Sequence, residues 1–161
     1  MGQYDTALTH LEIAETICQQ QIESGLESLA YARTQVNRGC IYSSQNRYRD
    51  CGEIFGTALR IRQRLLDPDD QLLANSYMNM GNYYTSQELF EEAAKTHREV
   101  LRIRHKAKRP LLAQLIISHY NLARCLLGDN DLEGAEEAVE GAVSHLSKLP
   151  NQADRDMNDA S

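Results

Sequence analysis

Apolar and polar positions follow a helical period along most of the chain. Around residues 51–61 the small or apolar side chains fall at Cys51, Phe55, Ala58, Leu59 and Ile61, which is the spacing of one helix face. The register returns 42 residues later at Ala93, His97, Val100, Leu101 and Ile103, and again at Ala135, Val139, Ala142, Val143 and His145. Each such stretch is preceded by a second helical stretch that carries Asn and then, two residues on, a small residue: Asn37/Gly39, Asn79/Gly81 and Asn121/Ala123. The pattern predicts helical hairpins, one after another, and nothing that reads as a strand.

The repeat is the first thing to establish, because it decides the fold. Residues 32–68 and 74–110 align without a gap and share eleven identities: Ala32/Ala74, Asn37/Asn79, Gly39/Gly81, Tyr42/Tyr84, Ser44/Ser86, Gln45/Gln87, Leu59/Leu101, Arg60/Arg102, Ile61/Ile103, Arg62/Arg104 and Pro68/Pro110. A third, looser copy keeps Leu115, Asn121, Glu133 and Ala135. The first helix of each unit is expected to end near Ser44, Ser86 and Gly128, and the second to open on Tyr48, Phe90 or Leu132. Gly39, Gly81 and Ala123 are expected to face Cys51, Ala93 and Ala135, since a large residue there would force the two helices apart. Glycine inside a helix costs about 1 kcal/mol relative to alanine, so that close approach must return more. Asp67-Pro68-Asp69-Asp70 stops one unit and offers carboxylates to cap the next.

Residues 4–20 carry the second-helix pattern alone, at Tyr4, Ala7, Leu11, Ala14 and Ile17. This predicts a half repeat, and a fragment of a longer array is the expected origin. The expected organisation is a repeat domain over 1–148, with the half repeat at 4–20 and full units at about 26–66, 70–108 and 111–147. Residues 149–161 are polar, acidic and aperiodic, as expected of a disordered tail.

Composition narrows the function. A net charge of −6 argues against nucleic acid as the main partner. The basic run Lys95, Arg98, Arg102, Arg104, Lys106, Lys108, Arg109 and the acidic run from Asp129 to Glu140 sit where one helix ends and another begins. Each sign there complements the helix dipole. Cys18, Cys40, Cys51 and Cys125 lack metal-type spacing, and packing is their expected role. His10, His97, His105, His119 and His145 fall on different predicted helices without ligand spacing, so no metal and no cofactor is expected. No phosphate loop, nucleophile motif or carboxylate pair appears, which argues against an enzyme. No apolar run approaches the ~18 residues of a membrane span, and the opening residues lack a secretory pattern. A cytoplasmic setting and no membrane partner are expected.

The run Leu73-Ala74, Asn79-Met80-Gly81, Tyr83-Tyr84, Gln87, Phe90-Glu91-Glu92-Ala93 and Leu101-Arg102-Ile103-Arg104 resembles the tetratricopeptide repeat. It is most similar to the longer variety found in kinesin light chains and in the repeat arms of fungal and bacterial nucleotide-binding signalling receptors. The 42-residue period departs from the usual ~34-residue unit, and the His-Pro usual between such repeats is replaced by Asp67-Pro68 and Arg109-Pro110. The resemblance implies an all-α, right-handed α-solenoid of three full repeats plus a preceding half repeat.

It also implies a site. First helices of tetratricopeptide repeats line a concave groove, and the matching positions here are Arg33, Asn37 and Cys40; Asn75, Asn79 and Asn82; and Ile117, Asn121 and Arg124. A carboxamide carries both donor and acceptor, which suits the alternating N–H and C=O of an extended peptide. The expected peptide-binding set is Asn37, Asn79, Asn121, Arg33, Asn75, Asn82 and Arg124, and the two arginines favour an acidic peptide. The basic clamp by which some relatives hold chaperone tails is not met, because Val36, Met78 and Tyr120 precede the three asparagines. A protein or peptide partner is therefore expected, with no small-molecule substrate. The alternative expectation is a sensor or oligomerisation arm of a larger nucleotide-binding signalling protein, self-associating through exposed terminal repeats.

Overall fold

A computed structural model describes residues 2–23 and 28–149. Seven α-helices account for most of these residues: α1 (Gly2–Glu23), α2 (Leu29–Ser44), α3 (Cys51–Leu65), α4 (Gln71–Ser86), α5 (Phe90–His105), α6 (Leu112–Gly128) and α7 (Leu132–Leu146). Each helix packs against its neighbours in sequence, giving the hairpins α2–α3, α4–α5 and α6–α7, with α1 set against α2. The expected tail beyond residue 149 lies outside the described residues.

Capping sets the starts. Ser28 Oγ accepts the Tyr31 N–H at 3.1 Å, Asp70 Oδ1 that of Leu72 at 2.7 Å and Asp131 Oδ1 that of Gly134 at 3.0 Å. These side chains satisfy N–H groups that the first turn leaves unpaired. In the first unit Tyr48 opens a 3₁₀ turn, Tyr48–Asp50, and the α-helix proper begins at Cys51.

One local device closes all three hairpins. Asn46, Glu88 and Asn130, again 42 residues apart, adopt left-handed φ values of 60°, 59° and 61°. The next N–H then reaches back to the helix: Arg47 to Tyr42 O at 2.9 Å, Leu89 to Tyr84 O at 3.0 Å and Asp131 to Leu126 O at 2.8 Å. This is the Schellman closure, which satisfies carbonyls at the helix end. Every residue with a Cβ meets a steric cost in that conformation; the short polar side chain of asparagine offsets it by bonding locally, and the longer one of Glu88 is less suited to do so.

The core runs as a string of clusters along the stack. Ala32, Ala58 and Ile61 form one cluster, Leu73, Ala74, Val100 and Ile103 another, and Leu115, Leu122, Ala123, Leu126 and Ala138 belong to a third that closes on α7. The expected glycine contacts need correction. A Cβ on Gly39 would run into the Phe55 ring, and one on Gly81 would stand 2.6 Å from His97 Nε2. The glycines therefore accept a ring one turn beyond the small residue. Cys51 still touches this contact, its Sγ lying 3.4 Å from Gly39 O. In the last unit the same position holds Val139, which is exposed, as is Val143. Their expected burial fails because no described helix follows α7 to cover them.

Between units the joint is a buried arginine. Arg62 Nη1 donates to Leu72 O at 3.1 Å and to Ser76 Oγ at 2.7 Å. Arg104 Nη1 donates to Gln114 O at 2.7 Å and to Ser118 Oγ at 2.6 Å. Both side chains are buried, and burial holds both guanidinium pKa values below their ordinary level. On the other side of the chain Glu15 receives Arg38 Nη1 at 3.0 and 2.9 Å and Gln35 Nε2 at 2.6 Å, tying α1 to α2.

Candidate peptide-binding groove

The first helices α2, α4 and α6 expose the predicted positions. Arg33, Asn37, Cys40, Asn75, Asn82, Ile117 and Arg124 are exposed, while Asn79 and Asn121 are half-buried. The register that produces this is the one that buries the opposite face. Ala32, Thr34, Gln35 and Gly39 go inward on α2, Leu73, Ala74, Ser76, Met80 and Gly81 on α4, and Leu115, Ser118, Leu122, Ala123, Cys125 and Leu126 on α6.

A cleft of about 320 Å³ brings part of the predicted set together. Cys40 from α2 meets Asn79 and Asn82 from α4 across it. Ser43, Ser44 and Tyr48 add polar and aromatic lining, and Cys51, Phe55 and Tyr83 complete it. Asn37, Asn75, Arg33, Asn121 and Arg124 lie outside this cleft. Asn121 Nδ2 approaches Met78 Sδ at 3.5 Å, a thioether being a weak acceptor. The Arg124 guanidinium lies 5.7 Å from the centre of the Tyr120 ring, within cation–π range. Although Cys40 is exposed, partial desolvation of its thiol raises the pKa, which works against the thiolate a nucleophile needs.

The basic run is largely committed to the scaffold. Lys95 pairs with Glu91 at 2.6 Å; Arg102 binds Asp69 at 2.6 Å and Glu99 at 2.8 Å; Lys106 reaches Asp69 at 2.9 Å. Lys106 and then Arg102 hold the Asp69 carboxyl below the usual carboxylate range.

Sequence spacing missed one constellation. His105, His119 and His145, from three different helices, converge so that one ligand atom of each lies within 4.8 Å of the others. The signal was present only in the repeat alignment, where these three positions correspond to Gln63, Tyr77 and Ile103.

Residues 47–106 match the family described as Tetratricopeptide repeat. No curated protein sequence matches the chain. Among solved structures the chain is similar to BtubC (BKLC) from P. vanneervenii, at 25% identity and a TM-score of 0.78 over 93% of this chain and 61% of that one. It is also similar to a Podosopora anserina kinesin light chain with nearly identical TPR-like repeats, at 19% identity and a TM-score of 0.73 over 93% and 72% of the two chains. The TPR domain of Arabidopsis FLU gives 19% identity and a TM-score of 0.66 over 74% and 97%. The chain thus spans less than two thirds of the length of the first of these. With the helical register described above, these likenesses give the chain the fold of an α-solenoid of helical hairpins, of which residues 47–106 match the tetratricopeptide repeat. That fold is a protein–protein interaction scaffold, and proteins built on it are generally non-enzymatic.

Proposed function

We propose that the chain binds an extended, acidic peptide segment of a partner protein along α2, α4 and α6, with Asn37, Asn79 and Asn121 addressing the peptide backbone. Arg33, Asn75, Asn82 and Arg124 flank them and complete the set. The observation that carries this reading is the cleft between α2 and α4, which Asn79 and Asn82 line together with Phe55 and Tyr83. An amide that gives and takes a hydrogen bond fits peptide backbone, and the aromatic lining fits one side chain. Asn121 needs only to exchange its weak Met78 contact for a peptide carbonyl, so engagement there sacrifices little. A cytoplasmic setting agrees with three free cysteines at 40, 51 and 125.

The experiment selects binders from a displayed library of unstructured peptides and then tests them against the variant carrying Asn37→Ala, Asn79→Ala and Asn121→Ala. Each backbone hydrogen bond contributes about 0.5–1.5 kcal/mol net. The triple variant should therefore bind at least roughly tenfold more weakly with unchanged helicity. Equal affinity would remove the asparagines from the site.

A further inference from the structure

Where α5 ends, α6 passes and α7 ends, three imidazoles meet. The ring centres of His105, His119 and His145 stand 6.1, 5.5 and 5.4 Å apart. His105 is exposed, and the other two are half-buried. The Nδ1 atoms of both His119 and His145 are buried without a hydrogen-bond partner.

The preceding junction supplies an internal comparison. Gln63, Tyr77 and Ile103 occupy the same repeat positions there. Gln63 Nε2 donates to Tyr77 Oη at 2.8 Å, and Ile103 is completely buried. A hydrogen bond and an aliphatic side chain thus fill this place in one junction. Three histidines fill it in the next, where packing alone would not require them. A fourth position changes as well: Glu99 of the earlier unit corresponds to Gly141. A Cβ at 141 would collide with the His119 ring, so the glycine makes the room that ring occupies.

We propose that His105, His119 and His145 bind a divalent transition-metal ion of borderline softness, zinc above all, with water completing the shell. Imidazole is the ligand such ions favour. Zinc–nitrogen bonds of about 2.0–2.1 Å put the nitrogens of a tetrahedral site roughly 3.3 Å apart. The ligand atoms, all within 4.8 Å of one another, must therefore draw in by at most about 1.5 Å, and the exposed His105 can swing to do so. An ion held there joins the last described hairpin, α6–α7, to α5 before it.

The test uses the full chain stripped with a chelator. Calorimetric titration with zinc should give one site. Zinc at about 100 times its dissociation constant should raise the melting temperature by roughly 5–10 °C. Cobalt(II) should give the visible absorption of a low-coordinate nitrogen site. The combined variant His105→Gln, His119→Tyr, His145→Ile carries the residues of the preceding junction, and it should melt normally in chelator while losing the zinc site and the cobalt spectrum. His105→Gln alone, at an exposed position, should weaken zinc at least tenfold and guards against a triple variant that fails to fold. His10→Ala and Cys40→Ser should bind zinc as the parent does. A parent chain that takes up no stoichiometric zinc, or a His105→Gln chain that binds it as tightly as the parent, would overturn the proposal.

Discussion

His97 is fully buried, with none of its surface exposed and neither ring nitrogen partnered. It lies against Gly81, where the preceding hairpin places Phe55 against Gly39. Burial, then the charges of Arg124 and Arg104, push its pKa down to about 4, whereas an unfolded histidine titrates near 6.5. The native state therefore holds His97 neutral while the unfolded chain takes up a proton. Stability due to this difference is fully present above about pH 6.5, and it is lost as the pH falls towards 4. Linkage gives a loss of about 2 kcal/mol between pH 7 and pH 5 and about 3 kcal/mol by pH 4.

The replacement His97→Phe tests this directly, because the repeat has already placed a phenylalanine against a glycine at the equivalent position. The variant should unfold later in urea at pH 7, since an unsatisfied polar ring gives way to an apolar one; a gain of about 1–2 kcal/mol is expected. At pH 5 the difference from the parent should widen by about 2 kcal/mol. His119 and His145 also have lowered pKa values, so the variant should keep part of the acid sensitivity. The decisive quantity is the difference between the two chains, measured by urea unfolding at both pH values. If the parent and His97→Phe lose the same stability from pH 7 to pH 5, the neutral buried imidazole is not the source, and the argument fails.

Two further outcomes concern the joints. Arg104→Ala should cost about 2–4 kcal/mol, because it removes two charge-assisted hydrogen bonds in a buried setting. Ser118→Ala should cost about 1–2 kcal/mol, and a double-mutant cycle between them should show coupling, while Arg104→Ala combined with the remote Ser76→Ala should be additive; urea unfolding reads all of these. Glu88→Asn should stabilise by about 0.5–1 kcal/mol by relieving a left-handed residue that bears a long side chain, seen as a higher denaturation midpoint with the slope unchanged.

The repeat and its hairpins were legible because they are written in residue types that recur at one period. Asn46 and Asn130 marked turns, and Gly39 and Gly81 marked close approaches, though which side chain each glycine admits was not. Packing decides that in three dimensions, and a ring one helical turn further on was invisible to a rule that paired small with small. Ser76 and Ser118 were equally periodic, yet a single serine carries no signal until the guanidinium it receives is seen to be buried. For the groove, the sequence separated exposed from buried positions on each first helix, but it could not say that only Asn79, Asn82 and Cys40 would share one cleft.

The histidines make the sharper case, because metal-ligand rules look for short spacings along one element, whereas in a solenoid the relevant neighbours lie one repeat away. Position 63 touches position 77 in one junction, so positions 105 and 119 meet in the next, and position 103 foretells where 145 will stand. Repetition turns distant sequence positions into one spatial site whose contents can be compared copy against copy. What packing requires is common to the copies, as with the buried arginine at 62 and 104. A residue that only one copy carries can still be packing, as His97 takes the place of Phe55 against a glycine, but three single-copy imidazoles gathered on one spot do more than fill a slot. By that criterion the three histidines and the glycine that admits one of them stand apart from the scaffold. The three asparagines, present in every copy, can be separated from it only by measuring what they bind.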